Sequence, residues 1–393
     1  MKNKKALSLD LENIMPLLVG IWRRFHKLNG PQETLQTREF RSVVAGVQAL
    51  QKGLESGDAL VGTDYFANPE WLGAYLLYQW VVHYQQGMSL INEIPVAPQR
   101  VLDIGSGPGA FAFAALRHGA QEVIATDISL RALTLASEVC GRYGMPLSIR
   151  QWNCLRPPLP EKGEFDLITI GHCLTELFPS TSRNWVEHQN NYIAMLLEKL
   201  TPNGFLLLAE SSLPEANKRL LSLRDHLVRA GVPVQAPCVW KGDCPALKTP
   251  NSPCYAQREF EKPYIVKEIQ RAAQINLSSL KMSYLILKSP KAAWPALPKS
   301  SLFRIISPPV DTYQGKRYYL CGTEGKKSLG SHLKVHPPES RAFEFVRRGE
   351  LISLENALVK DGAIDIVEGT KLVVEAACGK PLPEAIPKDP WDA

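Results

Sequence analysis

The sequence contains no apolar run that approaches the roughly 20 residues needed to cross a bilayer. Its basic start, MKNKKALSLDLENIM, is interrupted by Asp10 and Glu12 before any long apolar segment. That pattern fits neither a secretory signal peptide nor an acid-poor organelle presequence. We therefore predict a cytoplasmic protein without membrane contact.

The sequence also shows no internal repeats and no low-complexity tract. Its eight cysteines come without an export signal, so we do not expect them to form disulfides. Apolar residues make up 45% of the chain and charged residues 21%, as in an ordinary globular protein. The net charge of +6 is a mild basic bias, compatible with an anionic partner such as RNA. A length of 393 residues allows two or three domains.

The hydrophobic pattern changes twice along the chain. Apolar residues recur at helical spacing from about residue 9 to residue 90, and strand-like and helix-like segments alternate from about residue 99 onwards. Alternation of this kind predicts parallel strands with crossover helices, and residues 281–287 are a candidate for a last strand of that sheet. Pro290–Pro298 has the composition of a linker.

Short β-like runs without intervening helices follow the linker and predict a small barrel, with weak similarity to an OB-type domain. The runs are Phe303–Ile306, Arg317–Leu320, Phe343–Val346, Glu350–Leu354, Ile364–Val367 and Lys371–Val374. The fold class predicted is α/β: a helical N-terminal region over 1–95, a Rossmann-like class I methyltransferase domain over 96–290, and a C-terminal β domain over 299–393.

A glycine-rich loop joins the first predicted strand to a helix. Asp103 precedes it, and Gly105, Gly107 and Gly109 give the spacing G-x-G-x-G. Glycine allows a tight turn and a close approach to a ligand. Asp127 ends the next strand, where a carboxylate accepts hydrogen bonds from ribose hydroxyls. The pattern favours S-adenosylmethionine.

A nicotinamide dinucleotide is the alternative ligand, through a loose G-x-G-x-x-A match that ends at Ala110. Pro108 disfavours it, because proline lacks an N–H that a pyrophosphate cradle would use. Asn153 follows the third strand, where adenine packs in this fold, and we predict that it binds the cofactor. Its neighbour Trp152 is either an adenine contact or a buried core residue.

The fourth predicted strand ends in Gly171-His172-Cys173, with Glu176 four residues after the histidine. His172 and Glu176 are candidates for a base and its orienting acid, although Glu176 or Thr175 serves equally well as a helix cap. Cys173 would be a nucleophile only with a lowered pKa, and otherwise is a small buried residue. No Asp/Asn-Pro-Pro-aromatic clamp for an exocyclic amine is present.

Four cysteines are candidates for a metal site within or beyond the loop 236–262. They are Cys238, Cys244, Cys254 and Cys321, here called the cysteine quartet. Zinc sites generally include a C-x2–4-C pair, which is missing here, whereas an iron–sulfur cluster separates its ligands more widely. Zinc and unrelated cysteines stay open as alternatives. Cys140, Cys154 and Cys378 are expected to be packing residues.

Together these features resemble the methyltransferase-like proteins associated with small ribosomal subunit assembly, known from mitochondria and with bacterial relatives. The similar elements are Tyr65-Phe66, Gly73-Ala-Tyr75, Asp103–Gly109, Gly171–Leu177, Glu210, the cysteine quartet and Ser283-Tyr284-Leu285. The resemblance implies S-adenosylmethionine binding, a [4Fe–4S] cluster on the quartet and contact with small-subunit rRNA. This sequence departs from the family pattern at Cys238-Val-Trp and at Pro253-Cys254-Tyr, where relatives commonly have Cys-Pro-His and Trp-Cys-His.

We therefore expect a monomeric, RNA-associated assembly factor of the small ribosomal subunit that binds S-adenosylmethionine and an iron–sulfur cluster. An active rRNA methyltransferase is the alternative, and an iron–sulfur redox enzyme is a further one, although the C-x3-C-x2-C pattern of radical enzymes is absent. Five basic residues are candidate phosphate contacts, with a solvated surface as the alternative: Lys326, Lys327, Lys334, Arg347 and Arg348.

Overall fold

The computed structural model describes residues 2–55, 66, 68–156, 158–248, 253–299, 301–313 and 315–383. Tyr65 of the similarity pattern lies outside these residues. Contacts divide the chain into two compact units. The first comprises Met1–Ile91, Ala97–Lys199 and Glu259–Leu280, and the second comprises Asn92–Val96, Leu200–Arg258 and Lys281–Ala393. The domain boundaries drawn from the sequence stay a prediction.

The helices of the described residues are α1 (Lys2–Phe25), α2 (Thr37–Glu55), α3 (Pro69–Ala74), α4 (Trp80–Ile91), α5 (Ala110–Arg117), α6 (Leu130–Arg142), α7 (Leu174–Leu177), α8 (Trp185–Leu197), α9 (Pro214–Arg229), α10 (Pro245–Lys248) and α11 (Tyr264–Ala272). The strands are β1 (Arg100–Ile104), β2 (Glu122–Asp127), β3 (Ser148–Gln151), β4 (Phe165–Gly171), β5 (Leu200–Ser211), β6 (Val234–Ala236), β7 (Ala256–Arg258), β8 (Leu280–Lys288), β9 (Leu302–Ile305), β10 (Val310–Thr312), β11 (Gly315–Gly322), β12 (Gly325–Ser331), β13 (Leu351–Glu355), β14 (Leu358–Lys360), β15 (Ala363–Ile366) and β16 (Lys371–Ala376).

The first unit contains a parallel sheet in the order β3-β2-β1-β4. Its central strand β1 reads Val-Leu-Asp-Ile after Arg100, and these four residues are buried because both faces of the sheet are covered. Parallel strands joined by crossover helices confirm the predicted Rossmann-like α/β class. The arrangement brings the carboxyl ends of β1, β2 and β4 to one edge, where ligands bind in open α/β sheets.

The predicted helical N-terminal region is confirmed. Helix α1 buries Ile14, Leu18 and Ile21, which recur at helical spacing. Helix α3 begins at Pro69 after the N-cap Asn68, whose side chain accepts from the backbone N–H groups of the next turn. A π-helical turn, Tyr75–Gln79, then connects α3 to α4.

The second unit begins with an antiparallel group in which β8 pairs with both β5 and β6. The prediction that residues 281–287 form a strand of this region is confirmed by β8. Strand β5 buries seven consecutive residues, Gly204–Glu210, which is typical of a strand covered on both faces.

The C-terminal β domain predicted from the sequence is present as a sheet in the order β14-β15-β12-β11-β9-β13-β16. Its core contains Tyr318, Leu320, Leu329, Ile352 and Ile364. One sequence expectation fails locally, and one strand is missed. Phe343–Val346 is not a strand, because Arg341–Glu344 forms a 3₁₀ turn that inserts Phe343 into this core. Strand β12 is not predicted by the sequence, since GKKSLGS has only one large apolar residue.

None of the helices among the described residues combines the length and the apolar character that crossing a bilayer requires.

Candidate functional site

The glycine loop follows β1 at the ligand-binding edge of the parallel sheet. Gly105, Gly107 and Gly109 have φ of 65°, 53° and 82°, a region that favours glycine over residues with a Cβ. The backbone N–H of Gly107 donates to Oδ2 of Asp127 at 2.9 Å, while Ser129 N–H donates to Oδ1 at 2.8 Å. The two predicted cofactor elements, loop and carboxylate, are therefore joined directly.

Two of these glycines also have a packing requirement. A Cβ at Gly105 would lie 2.5 Å from Sγ of Cys173, and one at Gly109 would lie 2.7 Å from Cβ of Ala136. Both distances are far below van der Waals contact. The loop therefore needs glycine for its backbone conformation and for its close approach to β4–α7 and to α6.

Asp103 lies beneath the loop with 1% of its surface exposed. Its carboxylate accepts hydrogen bonds from Ser106 Oγ at 2.5 Å, Thr169 Oγ1 at 2.6 Å and the Ala112 N–H at 3.1 Å. Burial raises its pKa to about 6, against the effect of these hydrogen bonds. These hydrogen bonds tie Asp103 to the loop and to β4, and its predicted contact with the cofactor stays a prediction.

The segment after β3 lies near the same edge. Asn153 accepts from the Leu155 N–H through Oδ1 at 3.1 Å, and Trp152 donates from Nε1 to the Arg156 carbonyl at 3.0 Å. Trp152 is half-buried, so it belongs neither wholly to the core nor to the surface. Ile128 and Leu155 expose 66% and 47% of their surface beside these groups. Exposed apolar side chains next to Asp127 and Asn153 suit the faces of a purine ring.

His172 directly follows β4 and has φ of 58°, a left-handed conformation that is uncommon for a side chain of this size. Its Nε2 lies 2.7 Å from Gln86 Oε1, and its ring stacks on His83 with centroids 4.2 Å apart. Nδ1 of His83 in turn lies 3.0 Å from the Tyr75 hydroxyl. Within the part of the chain that is described, no hydrogen bond reaches Nδ1 of His172.

Both imidazoles are neutral at ordinary pH. Burial lowers the pKa of His172 to about 4, and burial together with the neighbouring His172 lowers the pKa of His83 well below its usual value. With Nε2 donating to the amide oxygen of Gln86, Nδ1 keeps a lone pair that can accept a proton. The geometry therefore gives His172 a nitrogen that can accept a proton, while the lowered pKa makes it a weak base in this state.

The other residues of this junction have different surroundings from those expected. Cys173, rather than Thr175 or Glu176, occupies the N-cap of α7, and it makes no side-chain capping bond. Its Sγ lies 3.5 Å from the Ile104 carbonyl oxygen. The Glu176 carboxylate is close enough to Tyr75 to raise the pKa of that phenol, after the larger effect of burial. Glu176 thus faces the same cluster as His172.

The cysteine quartet gathers in the second unit. Burial, followed by the charges of Cys238, Cys244 and Cys321, raises the pKa of Cys254 well above its ordinary value. Burial and the thiols of Cys238 and Cys244 raise the pKa of Cys321 to about 12. Cys238 and Cys254 line one pocket, and the electrostatic effects on Cys254 and Cys321 indicate that the other thiols lie nearby. Cys378 lies apart from them, with its thiol 3.4 Å from the Gln257 carbonyl.

Among the described residues, no group of three His, Cys, Asp or Glu side chains is positioned to hold a metal ion. A single tetrahedral ion requires its thiolates within about 4 Å of one another, given Zn–S bonds of about 2.3 Å. A cubane cluster spaces its ligands more widely. The described residues therefore show no formed metal site at the quartet, and a bound metal stays a proposal.

Three arginines, here called the arginine trio, line the same pocket as Cys238 and Cys254: Arg224, Arg304 and Arg348. Each has buried guanidinium nitrogen atoms without a hydrogen-bond partner in the described residues. Arg224 and Arg304 oppose the rise in the pKa of Cys321, and Arg348 does so for Cys254. Arg224 also pairs with Asp225 at 2.7 Å, so what this pocket lacks is acceptors for individual N–H groups. Buried donors without an acceptor are costly, and an anionic group with acceptor atoms would supply one. A four-thiolate iron–sulfur cluster has both properties.

The backbone around the quartet is anchored by side chains of α9. Asn217 donates to the Cys254 carbonyl at 2.7 Å, and Asp225 accepts from the Cys244 N–H at 2.9 Å. Arg224 donates to the carbonyls of Trp240 and Gly242. Arg304 of β9 donates from Nε to the Pro237 carbonyl at 3.0 Å. The cysteine loop is thus fixed by four polar residues that bind its backbone.

A comparison with known families finds one whose model matches most of this region of the chain. The model of the family described as "Mitochondrial small ribosomal subunit Rsm22" matches residues 73–332, about two thirds of the chain. The chain belongs to the Rsm22 family. The resemblance recognised from the sequence is confirmed, and the match covers both the glycine loop and the whole cysteine quartet.

Ribosomal protein L11 methyltransferases are similar over shorter segments. That of Geobacter sulfurreducens is 46% identical over 52 residues, 13% of this chain and 17% of that protein. That of Lactobacillus gasseri is 26% identical over 213 residues, 43% of this chain and 65% of that protein. The chain thus spans less than two thirds of the length of these curated relatives. The crystal structure of the ribosomal protein L11 methylase from Lactobacillus delbrueckii subsp. bulgaricus matches with TM-score 0.32 and 19% identity, covering 53% of this chain and 77% of that one.

The sequence alone does not identify several residues of these sites. His83 and Gln86 lie on α4 and look like ordinary polar positions of a helix. Asn217, Arg224 and Asp225 look like the solvated face of α9, yet all three are buried. Arg348, expected as a surface phosphate contact, instead stacks over the ring of Tyr255, with its guanidinium carbon 4.1 Å from the centroid. Polar residues on a helix give no signal of burial until their partners are known.

Proposed function

We propose that this protein is an S-adenosylmethionine-binding, iron–sulfur-containing member of the Rsm22 family that acts in assembly of the small ribosomal subunit through contact with rRNA. The observation that carries the proposal is the family match across the glycine loop and the cysteine quartet. The description of the family supplies the small ribosomal subunit as partner, and the net charge of +6 suits RNA.

The glycine loop and its neighbours support S-adenosylmethionine as the ligand of the first unit. Asp127 would hold the ribose hydroxyls, while Ile128, Leu155 and Asn153 would contact the adenine. The cofactor would supply a methyl group on a sulfonium ion. The chain itself supplies a preformed loop, since the Gly107–Asp127 hydrogen bond and the Asp103 anchor already fix its conformation. Isothermal titration with S-adenosylmethionine and with NADH should show binding of the first alone.

The cysteine quartet and the arginine trio support a [4Fe–4S] cluster in the second unit. The thiols would bind iron, and the trio would donate hydrogen bonds and offset the negative charge. Protein purified without oxygen should contain about four iron and about four sulfide ions per chain. Serine at any one of the four positions should lower both, whereas Cys378→Ser, in the same unit, should leave both unchanged. Zinc without sulfide would instead support a structural zinc site.

The cellular role is tested by sedimentation of ribosomes from a strain that lacks the protein. Immature small subunits should accumulate, and complementation with the wild-type gene should restore the normal profile. A normal profile in the deletion strain would contradict the role in assembly. A serine variant of Cys238 that retains S-adenosylmethionine binding would show whether the cluster is needed for this role.

An active rRNA methyltransferase is the second candidate, favoured by the surroundings of His172. Its neutral ring and its Nδ1 lone pair could take the proton that an acceptor atom loses on methylation. Labelled methyl groups should then appear in the rRNA of immature subunits incubated with the protein, and His172→Asn should abolish the incorporation. Label in a ribosomal protein would assign a different substrate, and its complete absence would leave the binding role.

A further inference from the structure

The C-terminal sheet has an outer face with an unusual set of side chains. Along β11, Tyr318 and Leu320 point into the core, so that Arg317 and Tyr319 alternate to the opposite side. The neighbouring strands β12, β15 and β14 place Lys326, Ser328, Asp365 and Lys360 on that same side by their pairing registers. We call this surface the basic face.

Asp365 organises the cations of the basic face. It is 2% exposed, and it accepts from Arg317 Nη2 at 3.1 Å and from Lys360 Nζ at 2.9 Å. The His332 ring lies at 3.2 Å, and it is charged only if protonated. One carboxylate thus fixes two permanent cations and one imidazole, which leaves an excess of positive charge. The side chains of Lys360 and His332 are 49% and 54% exposed.

Gly330 makes this arrangement possible. It lies on β12 between Arg317 and Asp365, and a Cβ there would be 2.8 Å from both the guanidinium carbon and the carboxylate. The arginine therefore crosses the middle strand and lies flat along the sheet. Its guanidinium plane is held in place before any partner arrives.

Tyr319 adds an exposed aromatic ring to the basic face. It is two residues from Arg317 on the same strand, about 7 Å along it, and 43% of its surface is exposed. Lys326 Nζ lies 4.8 Å from the ring centroid. Aromatic rings that stand beside cations on a β-sheet are the usual means of binding single-stranded nucleic acid, because a base stacks while its phosphates pair with the cations.

We propose that the basic face binds a single-stranded segment of RNA, with a base on Tyr319 and phosphates at Arg317, Lys326 and Lys360. This inference rests on the proposed contact with rRNA and specifies where that contact lies. The inference also changes which basic residues we expect to contact RNA. Lys327 pairs with Glu324 at 2.5 Å and is only 15% exposed, and Arg348 is engaged at Tyr255. These two predicted phosphate contacts therefore do not belong to this face, whereas Lys326 does.

The test is fluorescence anisotropy of the full chain with a labelled single-stranded RNA of about 12 nucleotides, within the usual site size of such domains. Tyr319→Ala should weaken binding by about 5- to 100-fold, while Tyr319→Phe keeps the ring and should bind as wild type. Lys360→Gln should reduce the slope of log K against log salt by about 0.7. Lys371→Gln removes the same charge from β16, away from the face, and serves as the matched control.

Equal affinity of Tyr319→Ala and wild type would overturn the proposal, as would an equal loss in Tyr319→Phe or equal binding of a duplex. A loss of ribosome association by Tyr319→Ala with unchanged RNA affinity would point to a protein partner and would also overturn it. These outcomes differ from failure of the proposed function. In that case the wild-type chain itself would not sediment with immature small subunits, whatever its affinity for the RNA oligonucleotide.

Discussion

At the scale of single residues, the glycine loop shows two separate demands on one residue type. Positive φ at Gly105 disfavours any residue with a Cβ, and a Cβ there would lie 2.5 Å from Sγ of Cys173, so that the cysteine would have to move. Gly119, at the end of α5, has φ of 93°, but a Cβ added there would meet none of the described atoms within 4 Å. A comparison of Gly105 with Gly119 therefore separates the free-energy cost of backbone strain from that of steric overlap.

Gly105→Ala and Gly119→Ala should therefore differ in a measurable way. Both should lower the free energy of unfolding by about 1–3 kcal/mol through left-handed strain, and Gly105→Ala should lose more because Cys173 must move. Only Gly105→Ala should lose affinity for S-adenosylmethionine, measured by calorimetry on the folded protein. An unchanged affinity in that variant would show that the loop does not form the ligand site.

At the scale of elements, the π-helical turn and α4 place Tyr75, His83 and Gln86 against the end of β4. Tyr75 begins the π-helical turn, and His83 and Gln86 lie on α4, so that all three side chains belong to one cluster around His172. Stacked imidazoles that are both neutral are stable only while neither ring binds a proton. The cluster is therefore sensitive to acid.

His172→Asn should weaken that sensitivity while tolerating the positive φ. The pKa of His172 is about 4 in the folded protein and about 6.5 when unfolded, so its stabilising contribution is present above pH 6.5 and is lost as the pH falls towards 4. Between about pH 7.5 and about pH 5, wild type should lose about 2 kcal/mol more than the variant in urea unfolding. His188→Asn, at an exposed position of α8, should behave as wild type, and an identical pH dependence of all three would contradict the prediction.

At the scale of the whole molecule, the two units have different sources of stability. The first has a parallel sheet buried on both faces, with a self-supporting glycine loop. The second contains a loop whose cysteines and arginines face one another, with buried guanidinium nitrogens that lack partners in the described residues. If a cluster occupies this pocket, its binding contributes directly to the folding of the second unit.

Removal of iron by a chelator should accordingly affect one unit. Hydrogen exchange followed by mass spectrometry should show faster exchange in Val234–Ala236, in Ala256–Arg258 and in β11. Peptides that cover β1 and β2 should exchange as before. Uniform acceleration across both units, or none in either, would contradict the assignment of the metal to the cysteine quartet.

Much of the fold is predictable from the sequence because its signals are local. Helix α6 and strands β2 and β4 form within the region after residue 99, where the alternating hydrophobic pattern predicts helices and strands. Strand β12 and the 3₁₀ turn at Arg341–Glu344 are not predictable, since their residues gain their places from the C-terminal core. The hydrophobic pattern within these two short segments does not indicate which secondary structure they form.

Spacing along the chain is enough to predict the fold class, the glycine loop with its following carboxylate, and the family. The place of Asp103 beneath the loop, the stacking of His172 on His83 and the position of Arg348 beside Cys254 emerge only in the folded chain. These properties depend on burial and on partners distant in sequence. A polar residue shows neither until the chain has folded around it.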